Sequence, residues 1–191
     1  VAALMVPGSD VMIENVGINE TRSGIIDVIR AMNGKITLVN ERYFGGEPVA
    51  DLHIQYTKDL VATTIEGDMI PRLIDEIPIL ALLATRAKGI TVIKDAEELK
   101  VKETNRIDVT VNQLKAIGAE IKSTDDGMII TGQPEGSFNQ ASVSSHKDHR
   151  IAMMLCVASL LIDEPLIIED VESMEISYPD FLKHLNVLLG N

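Results

Sequence analysis

Apolar positions along this chain recur in three similar copies. Three segments align without gaps, and the predicted strand in each ends in an acidic or amide residue: VMIENVG from Val11, TVIKDAE from Thr91 and LIIEDVE after Pro165. All three are rich in leucine and β-branched residues and are bounded by polar sequence. Short runs of this kind predict buried strands. The recurrence at about 75–80 residues predicts an internal structural repeat.

Each predicted strand is followed by a polar loop and then by helical periodicity. The three helical stretches are GIIDVIRAM from Gly24, RIDVTVNQLKAIG from Arg106 and PDFLKHLNVLL from Pro179. In the first two copies a pair of strands follows, KITLVN with LHIQY and AEIKST with GMIITG. The sequence Asp-Asp-Gly at residues 125–127 marks the turn of the second pair.

A second kind of helix precedes each predicted strand. It starts at about Asp75 in the second copy and at about His149 in the third, and it is apolar on all sides, which predicts burial. The first copy retains only the stub VAALM, and the third copy has no strand pair. We therefore expect one α/β domain over residues 1–191, with repeats at about 1–60, 70–133 and 145–191. Since the chain begins with Val1, we expect a piece of a longer protein.

Composition excludes several classes of function. With 46% apolar and 24% charged residues the chain is of ordinary globular type. A net charge of −12 and only 3% aromatic residues argue against nucleic-acid binding. The longest apolar run, residues 151–162, is well short of the ~20 residues that span a bilayer. The single cysteine, Cys156, excludes an internal disulfide, favours a reducing, cytoplasmic location, and lies where a buried apolar side chain is expected rather than a nucleophile.

Candidate chemistry lies where the copies differ. The second copy carries extra residues around positions 102–106, which contain Lys102, Glu103 and Arg106. A helix beginning near Thr104 would place Lys102 and Glu103 at its mouth and Arg106 one turn inside. The alternative is a solvated helix start, in which a Glu103–Arg106 pair contributes only ~0.3–0.5 kcal/mol.

The third buried helix opens on a second charged segment, residues 145–150. Asp148 is a candidate N-cap, and the exposed backbone amides together with Lys147, His149 and Arg150 would attract an anion. The alternative is a charged collar that keeps the end of an apolar helix in water.

Asp75 holds the position in the second copy that Arg150 holds in the third. Taken alone, it could be a simple N-cap before Pro78. If the copies are related by pseudo-symmetry, all three charged positions share one rim. Such a rim suits an anionic, phosphorylated substrate and proton transfer by a carboxylate.

Four runs carry a resemblance to a known family: DEIP at residues 75–78, EELKVKETNR at 97–106, DHRIAM at 148–153 and SYPDF at 177–181. In this order they resemble the motifs of the C-terminal domain of the 5-enolpyruvylshikimate-3-phosphate synthase family. The resemblance implies an inside-out α/β domain of three βαβαββ units, the enolpyruvyl transferase fold, with helices inside and sheets outside. It also implies that the family's N-terminal domain, a partner of this one, is absent here.

The resemblance further implies a reaction. The enolpyruvyl group of phosphoenolpyruvate moves to the 5-hydroxyl of shikimate 3-phosphate, phosphate is released, and no metal or organic cofactor takes part. The implied roles are proton acceptor and contact to the shikimate hydroxyl for Asp75, exchange of the methylene proton for Glu103, shikimate 3-phosphate binding for Lys102, phosphoenolpyruvate binding for Arg106 and Arg150, and orientation for His149. The complete enzyme is expected to be a cytoplasmic monomer, and the fragment alone inactive.

Three residues depart from the family pattern. Asn105 replaces an aspartate, Ile176 stands where some members carry a phosphoenolpyruvate-binding lysine, and Glu98 stands where some use asparagine. Two other interpretations remain open. One is half of the related transferase that acts on UDP-N-acetylglucosamine, and the other is a non-catalytic module on the same scaffold.

Overall fold

A computed structural model describes residues 1–190 of the chain. Its helices are α1 (Ala2–Met5), α2 (Gly24–Ala31), α3 (Ile77–Ala84), α4 (Arg106–Ala116), α5 (His149–Ser159) and α6 (Phe181–Leu188). Its strands are β1 (Asp10–Gly17), β2 (Ile36–Phe44), β3 (Glu47–Gln55), β4 (Thr64–Ile65), β5 (Ile90–Ile93), β6 (Glu120–Ser123), β7 (Met128–Thr131), β8 (Ser142–Ser144) and β9 (Ile167–Glu169). Short 3₁₀ segments at Gly67–Arg72, Ile74–Glu76, Glu97–Val101 and Val171–Ile176 lie in the connections.

The middle copy forms a full βαβαββ unit. Its elements are β4, α3, β5, α4, β6 and β7, and its sheet has the order β4-β5-β7-β6. β4 runs parallel to β5, whereas β7 is antiparallel to both of its neighbours. The first copy forms the sheet β1-β3-β2, and the third pairs β8 with β9 in parallel. The pattern of apolar residues missed β4 and β8, because strands of two or three residues are too short to show a period.

The apolar helices lie inside, as predicted. The side chains of Leu80, Leu82 and Leu83 in α3 are fully buried, and α5 packs against α3. Leu4 of the α1 stub is also fully buried in the same apolar core. Within residues 1–190, no helix is long and apolar enough to cross a membrane. The three copies therefore bury one helix each and place their sheets outside them.

The acidic or amide residue at the fifth position of each repeated segment has a structural reason. Asn15, Asp95 and Asp170 hold equivalent positions, and their φ angles are 57°, 60° and 57°. Asparagine and aspartate enter this left-handed region more readily than other non-glycine residues, because their short polar side chains bond locally. Asp95 and Asp170 thus turn the chain away from β5 and β9, whereas Asn15 lies inside β1, where the register against β3 shifts.

The prediction that all three repeated strands are buried is wrong for two of them. Only β5 is largely covered, with Thr91 and Ile93 fully buried. β1 and β9 are mostly exposed, and Ile13 and Ile167 show 46% and 60% of their surface to solvent. A sheet outside the helices buries one face only, and β1 pairs with a single neighbour among the described residues.

The first strand pair is longer than its apolar pattern indicates. β2 and β3 form a continuous hairpin in which Phe44 pairs with Glu47. The two residues between them, Gly45 and Gly46, have φ angles of 59° and 90°. Two consecutive positive φ angles are what a type I′ hairpin turn requires, and glycine adopts them without a steric penalty.

A carboxylate stabilises this sheet where its register shifts. Near Asp51, both β1 and β2 slip relative to β3. Asp51 accepts hydrogen bonds from the Asn15 backbone N–H at 2.8 Å, from Asn40 Nδ2 at 2.8 Å and from Arg42 Nη2 at 3.0 Å. These bonds, led by the one from Asn15, lower the pKa of Asp51 from 3.8 to about 2.

The depressed pKa of Asp51 predicts a pH dependence of stability. The folded state favours the ionised carboxylate. The stabilisation that Asp51 contributes is therefore complete above the unfolded pKa of 3.8 and is lost as the pH falls towards about 2. In Asp51→Asn we expect lower stability at neutral pH and a shallower loss of stability over this window. Urea unfolding at a series of pH values measures it. The exposed Asp125→Asn is the matched control, and equal acid slopes for wild type and Asp51→Asn would contradict the assignment.

Candidate active site

Arg106 is the first residue of α4, and it is buried. Its side chain is 1% exposed. Asn105 is the N-cap, and its side chain accepts a hydrogen bond from the Asp108 backbone N–H. The helix therefore begins at Arg106 rather than near Thr104, and Arg106 lies in the first position rather than one turn inside. Asparagine is a favoured cap, so the sequence contained a signal for this start.

The guanidinium of Arg106 contacts three carboxylates. Its Nε donates to Asp148 Oδ2 at 2.8 Å, and its Nη1 donates to Asp75 Oδ1 at 3.0 Å. Its Nη2 donates to Glu103, one helical turn away in sequence. The expected Glu103–Arg106 pair is present, but the interpretation of this segment as a solvated helix start is wrong, because the guanidinium is buried. We call Arg106 and these three carboxylates the Arg106 cluster.

Asp148 joins the cluster to the start of α5. The prediction that it caps this helix is confirmed: its Oδ1 accepts hydrogen bonds from the backbone N–H groups of Arg150 at 2.9 Å and Ile151 at 3.5 Å. Its Oδ2 accepts from Arg106 and from the Thr104 hydroxyl at 3.1 Å. The side chain has no exposed surface. Sequence reasoning found the cap but missed the link to Arg106.

Asp75 lies between two arginines. Besides its bond to Arg106, its Oδ2 is 3.4 Å from Arg150 Nη2. Burial raises the pKa of Asp75, but the charges of Arg150 and Arg106 outweigh burial and hold that pKa below its ordinary value. The residue makes no capping bond to α3, so the interpretation of Asp75 as a simple N-cap is wrong. An ionised carboxylate at this position can accept a proton.

The remaining predicted site residues border the cluster. His149, the first residue of α5, has its Nδ1 3.7 Å from Glu103 Oε1. Lys102 forms an ion pair with Glu98, and its charge adds to the lowering of the Asp75 pKa. Lys147 is exposed and forms no ion pair within residues 1–190. The structure therefore brings Asp75, Glu103, Arg106, His149 and Arg150 together, with Lys102 at the edge.

The arginines of the site are already paired with carboxylates, unlike those of the anion-binding rim expected from the sequence. Each of the three guanidinium nitrogens of Arg106, Nε, Nη1 and Nη2, already contacts a carboxylate. Arg150 has one contact to Asp75, while its buried Nε has no hydrogen-bond partner in the described part of the chain. An incoming anion must share or displace carboxylates at this site. Of the two arginines, Arg150 has more hydrogen-bonding capacity left for such an anion.

A cavity of about 240 Å³ adjoins the cluster. It is lined by charged side chains at one end and by apolar ones elsewhere: Asp75, Glu76 and Arg150, then Ile79, Met153, Met154, Val157, Tyr178 and Phe181. Burial here raises the pKa of Glu76 above its ordinary value. Sequence reasoning passed over Glu76, although it follows Asp75 directly. The apolar walls lower the local dielectric and strengthen the charge interactions at the mouth.

A larger surface cavity, about 820 Å³, lies elsewhere, against the β1–α2 loop. Two arginines line it. Arg72 is 2.7 Å from Asp27, and its Nε donates to the backbone carbonyl of Glu20, whereas Arg30 forms no ion pair within residues 1–190. The cavity contains none of the residues of the Arg106 cluster. The smaller cavity is therefore the better candidate.

Two other kinds of chemistry find no support in the described residues. Cys156 is buried, as predicted, and burial raises the pKa of its thiol to about 11, so the thiolate needed of a nucleophile is scarce at neutral pH. Within residues 1–190, no group of three or more histidine, cysteine, aspartate or glutamate side chains is placed to hold a metal ion.

Comparison with known proteins places this arrangement in a family. Residues 1–185 match the family model of EPSP synthase, also named 3-phosphoshikimate 1-carboxyvinyltransferase. The chain belongs to the EPSP synthase family. This result confirms the resemblance read from the four motifs and disfavours the UDP-N-acetylglucosamine alternative.

Similar members of the EPSP synthase family include the 3-phosphoshikimate 1-carboxyvinyltransferases of Staphylococcus epidermidis and Staphylococcus aureus, 53% and 54% identical over 188 residues. These matches cover 98% of this chain and 43% of each relative, so the chain spans less than half of their length.

Solved structures confirm the fold. EPSP synthase from Acinetobacter baumannii superposes with a TM-score of 0.93 at 39% identity, over 98% of this chain and 43% of that one. The enolpyruvyl transferase NikO from Streptomyces tendae superposes with a TM-score of 0.78 at 18% identity, and at that identity the likeness shows the fold alone. The βαβαββ repeats around buried helices are therefore the enolpyruvyl transferase fold.

Proposed function

We propose that the complete protein transfers the enolpyruvyl group of phosphoenolpyruvate to the 5-hydroxyl of shikimate 3-phosphate and releases phosphate. The observation that carries the proposal is the buried Arg106 guanidinium, held by Asp75, Glu103 and Asp148 beside Arg150. Two arginines suit the carboxylate and phosphate of the donor, since a guanidinium matches both groups in a bidentate manner. Two partly exposed carboxylates supply the proton transfers.

The two carboxylates have separate tasks in this proposal. Asp75 accepts the proton of the attacking hydroxyl, and Glu103 exchanges a proton with the methylene carbon of the enolpyruvyl group. Their side chains are 31% and 46% exposed, so both can reach a substrate outside the protein core. Asp148 has no exposed surface and takes no part in either transfer.

Substrate binding prepares Asp75 for its task. The charges of Arg150 and Arg106 hold the pKa of Asp75 low, which makes this carboxylate a weak base in the free protein. A bound anion offsets part of these positive charges and thereby raises the pKa of Asp75. The base gains strength when the donor is in place, which protects the site from unproductive proton transfer.

The departures from the family pattern fit the same proposal. Asn105 is occupied as the cap of α4, and its Nδ2 donates to Asp108 at 2.7 Å, so it faces away from the cluster's chemistry. Ile176 is 78% exposed at the end of a 3₁₀ segment and supplies no donor to an anion. Glu98 pairs with Lys102 and would have to release it for shikimate 3-phosphate.

The isolated 191 residues are expected to be inactive. The reaction needs both substrates held together, and the loss of such proximity lowers the rate by far more than about a thousandfold. Phosphate release from phosphoenolpyruvate should depend on shikimate 3-phosphate in the complete protein and should be undetectable with the 191-residue chain. Measurable release by the chain alone would contradict this prediction, and no release by the complete protein would contradict the proposed function.

The same chain should still bind phosphoenolpyruvate weakly. NMR titration at millimolar concentrations is expected to shift the signals of Arg106 and Arg150 most, with Lys102 next. Arg30, which is exposed and outside the cluster, is the internal control. The absence of shifts at both cluster arginines would count against this anion site.

The monomeric state and the cytoplasmic location of the complete protein stay predictions.

A further inference from the structure

Asp148 connects two helices through its two carboxylate oxygens. Oδ1 accepts the backbone N–H groups of Arg150 and Ile151 at the start of α5, and Oδ2 accepts Arg106 Nε at the start of α4. The side chain is fully buried, so no water competes for these bonds. Asp148 therefore couples the position of the start of α4 to that of the start of α5.

A constrained turn holds Asp148 in place. His146 and Lys147 directly precede it, and their φ angles are 51° and 64°. Two consecutive non-glycine residues in the left-handed region are costly and persist only where the surroundings enforce them. Ser145 does so: its buried hydroxyl donates to the Asp170 carbonyl at 2.9 Å and accepts from the Lys147 N–H at 3.1 Å. The chain thus accepts local strain to deliver one carboxylate to the cluster.

The position of Asp148 determines what Arg106 can offer. With Nε bound to Asp148, the guanidinium plane is fixed, and its Nη1 and Nη2 edge is directed towards Asp75 and Glu103. Arg150 lies two residues after Asp148, and its backbone N–H donates to the Asp148 side chain. Asp148 therefore sets both the orientation of the Arg106 guanidinium and the position of the Arg150 backbone.

We propose that Asp148 is a positioning residue, which holds Arg106 and Arg150 at the spacing needed to bind one anion. The inference rests on the proposed function only for the identity of that anion, phosphoenolpyruvate. Asp148 itself contacts no substrate, because it is buried behind Arg106.

Variants of Asp148 can separate its two tasks. In Asp148→Asn the side-chain oxygen can still cap α5, but the amide places a donor against the Arg106 Nε donor. In Asp148→Ser the cap is also retained and the Nε partner is removed. Thr104→Val is the matched control, because it removes only the hydroxyl bond to the same Oδ2.

Steady-state kinetics of the complete protein provide the first test. For Asp148→Asn and Asp148→Ser we expect the KM for phosphoenolpyruvate to rise at least tenfold, with less than a threefold change in the KM for shikimate 3-phosphate. Thr104→Val should change both by less than threefold. Equal changes in both constants, or no change in folded variants, would overturn the proposal.

Two further measurements do not depend on turnover. Calorimetric titration with inorganic phosphate should show at least tenfold weaker binding for the folded Asp148 variants than for Thr104→Val, even if the proposed reaction is wrong. In the wild-type protein, NMR should show the Arg106 Nε–H exchanging with solvent at least a hundredfold more slowly than that of exposed Arg30. If the variants do not fold, the exchange measurement decides, and equally fast exchange at both arginines overturns the proposal.

Discussion

Asp75→Ala in the complete protein is expected to lower turnover by roughly two to four orders of magnitude, the usual contribution of a positioned general base. The reason is geometric, since this carboxylate is partly exposed and held by Arg106 Nη1 and Arg150 Nη2 at the mouth of the cavity. The folded state should survive the change, because the buried Arg106 keeps its contacts to Asp148 and Glu103 when Asp75 is removed. Phosphate release under saturating substrates measures the effect.

Asp68→Ala is the matched control for this experiment. Asp68 is an exposed carboxylate in the 3₁₀ segment that precedes Asp75, and it forms no ion pair among the described residues. Its removal should leave turnover within about twofold of wild type, as is usual for an exposed surface substitution. Near-normal turnover in Asp75→Ala would remove this residue from the proposed chemistry, whereas unfolding would show in circular dichroism before any assay.

Arg106→Ala is expected to destabilise the protein by about 3–5 kcal/mol, the cost of leaving buried charges without their partner. The side chain is 1% exposed, and its removal leaves Glu103 and Asp148 without their guanidinium partner and Asp75 with Arg150 alone. We expect at least one of the three to take up a proton at neutral pH as a result. The midpoint and slope of urea unfolding measure the loss.

Two other variants make the Arg106 result specific. Arg106→Lys keeps the charge but not the planar set of donors, so it should recover only part of the lost stability. Arg30→Ala, at an exposed position, should change stability by less than about 0.5 kcal/mol. If the free energy of unfolding of Arg106→Ala were within about 1 kcal/mol of the wild-type value, Arg106 would contribute no more than a surface ion pair, and the buried-cluster assignment would be contradicted.

The helices were predictable because their signal is local. α3 and α5 are apolar on all sides over consecutive turns, and only a protein interior accommodates such a surface. The strands were harder. Whether Ile13 or Ile167 is covered depends on which face of the sheet the helices pack against, and that is decided by distant parts of the chain. β4 and β8 form only because a neighbouring strand offers them backbone partners.

The site was predictable as a set of residues but not as an arrangement. Departures from the repeat and the family motifs both singled out Asp75, residues 102–106 and residues 148–150. The arrangement differs from the expected open anion site, since Arg106 is buried and contacts three carboxylates. Asp148 and Arg106 are 42 positions apart, and no local pattern reports a contact over that distance.

The sequence by itself determined the threefold repeat, the buried helices, the family and the residues that carry charge into the site. These follow from periodicity and motif order, which are written along the chain. Only the tertiary structure decided how the charges are matched. The strength of a charge interaction depends on distance and burial, and packing α3, α4 and α5 together sets both for Asp75, Arg106 and Asp148.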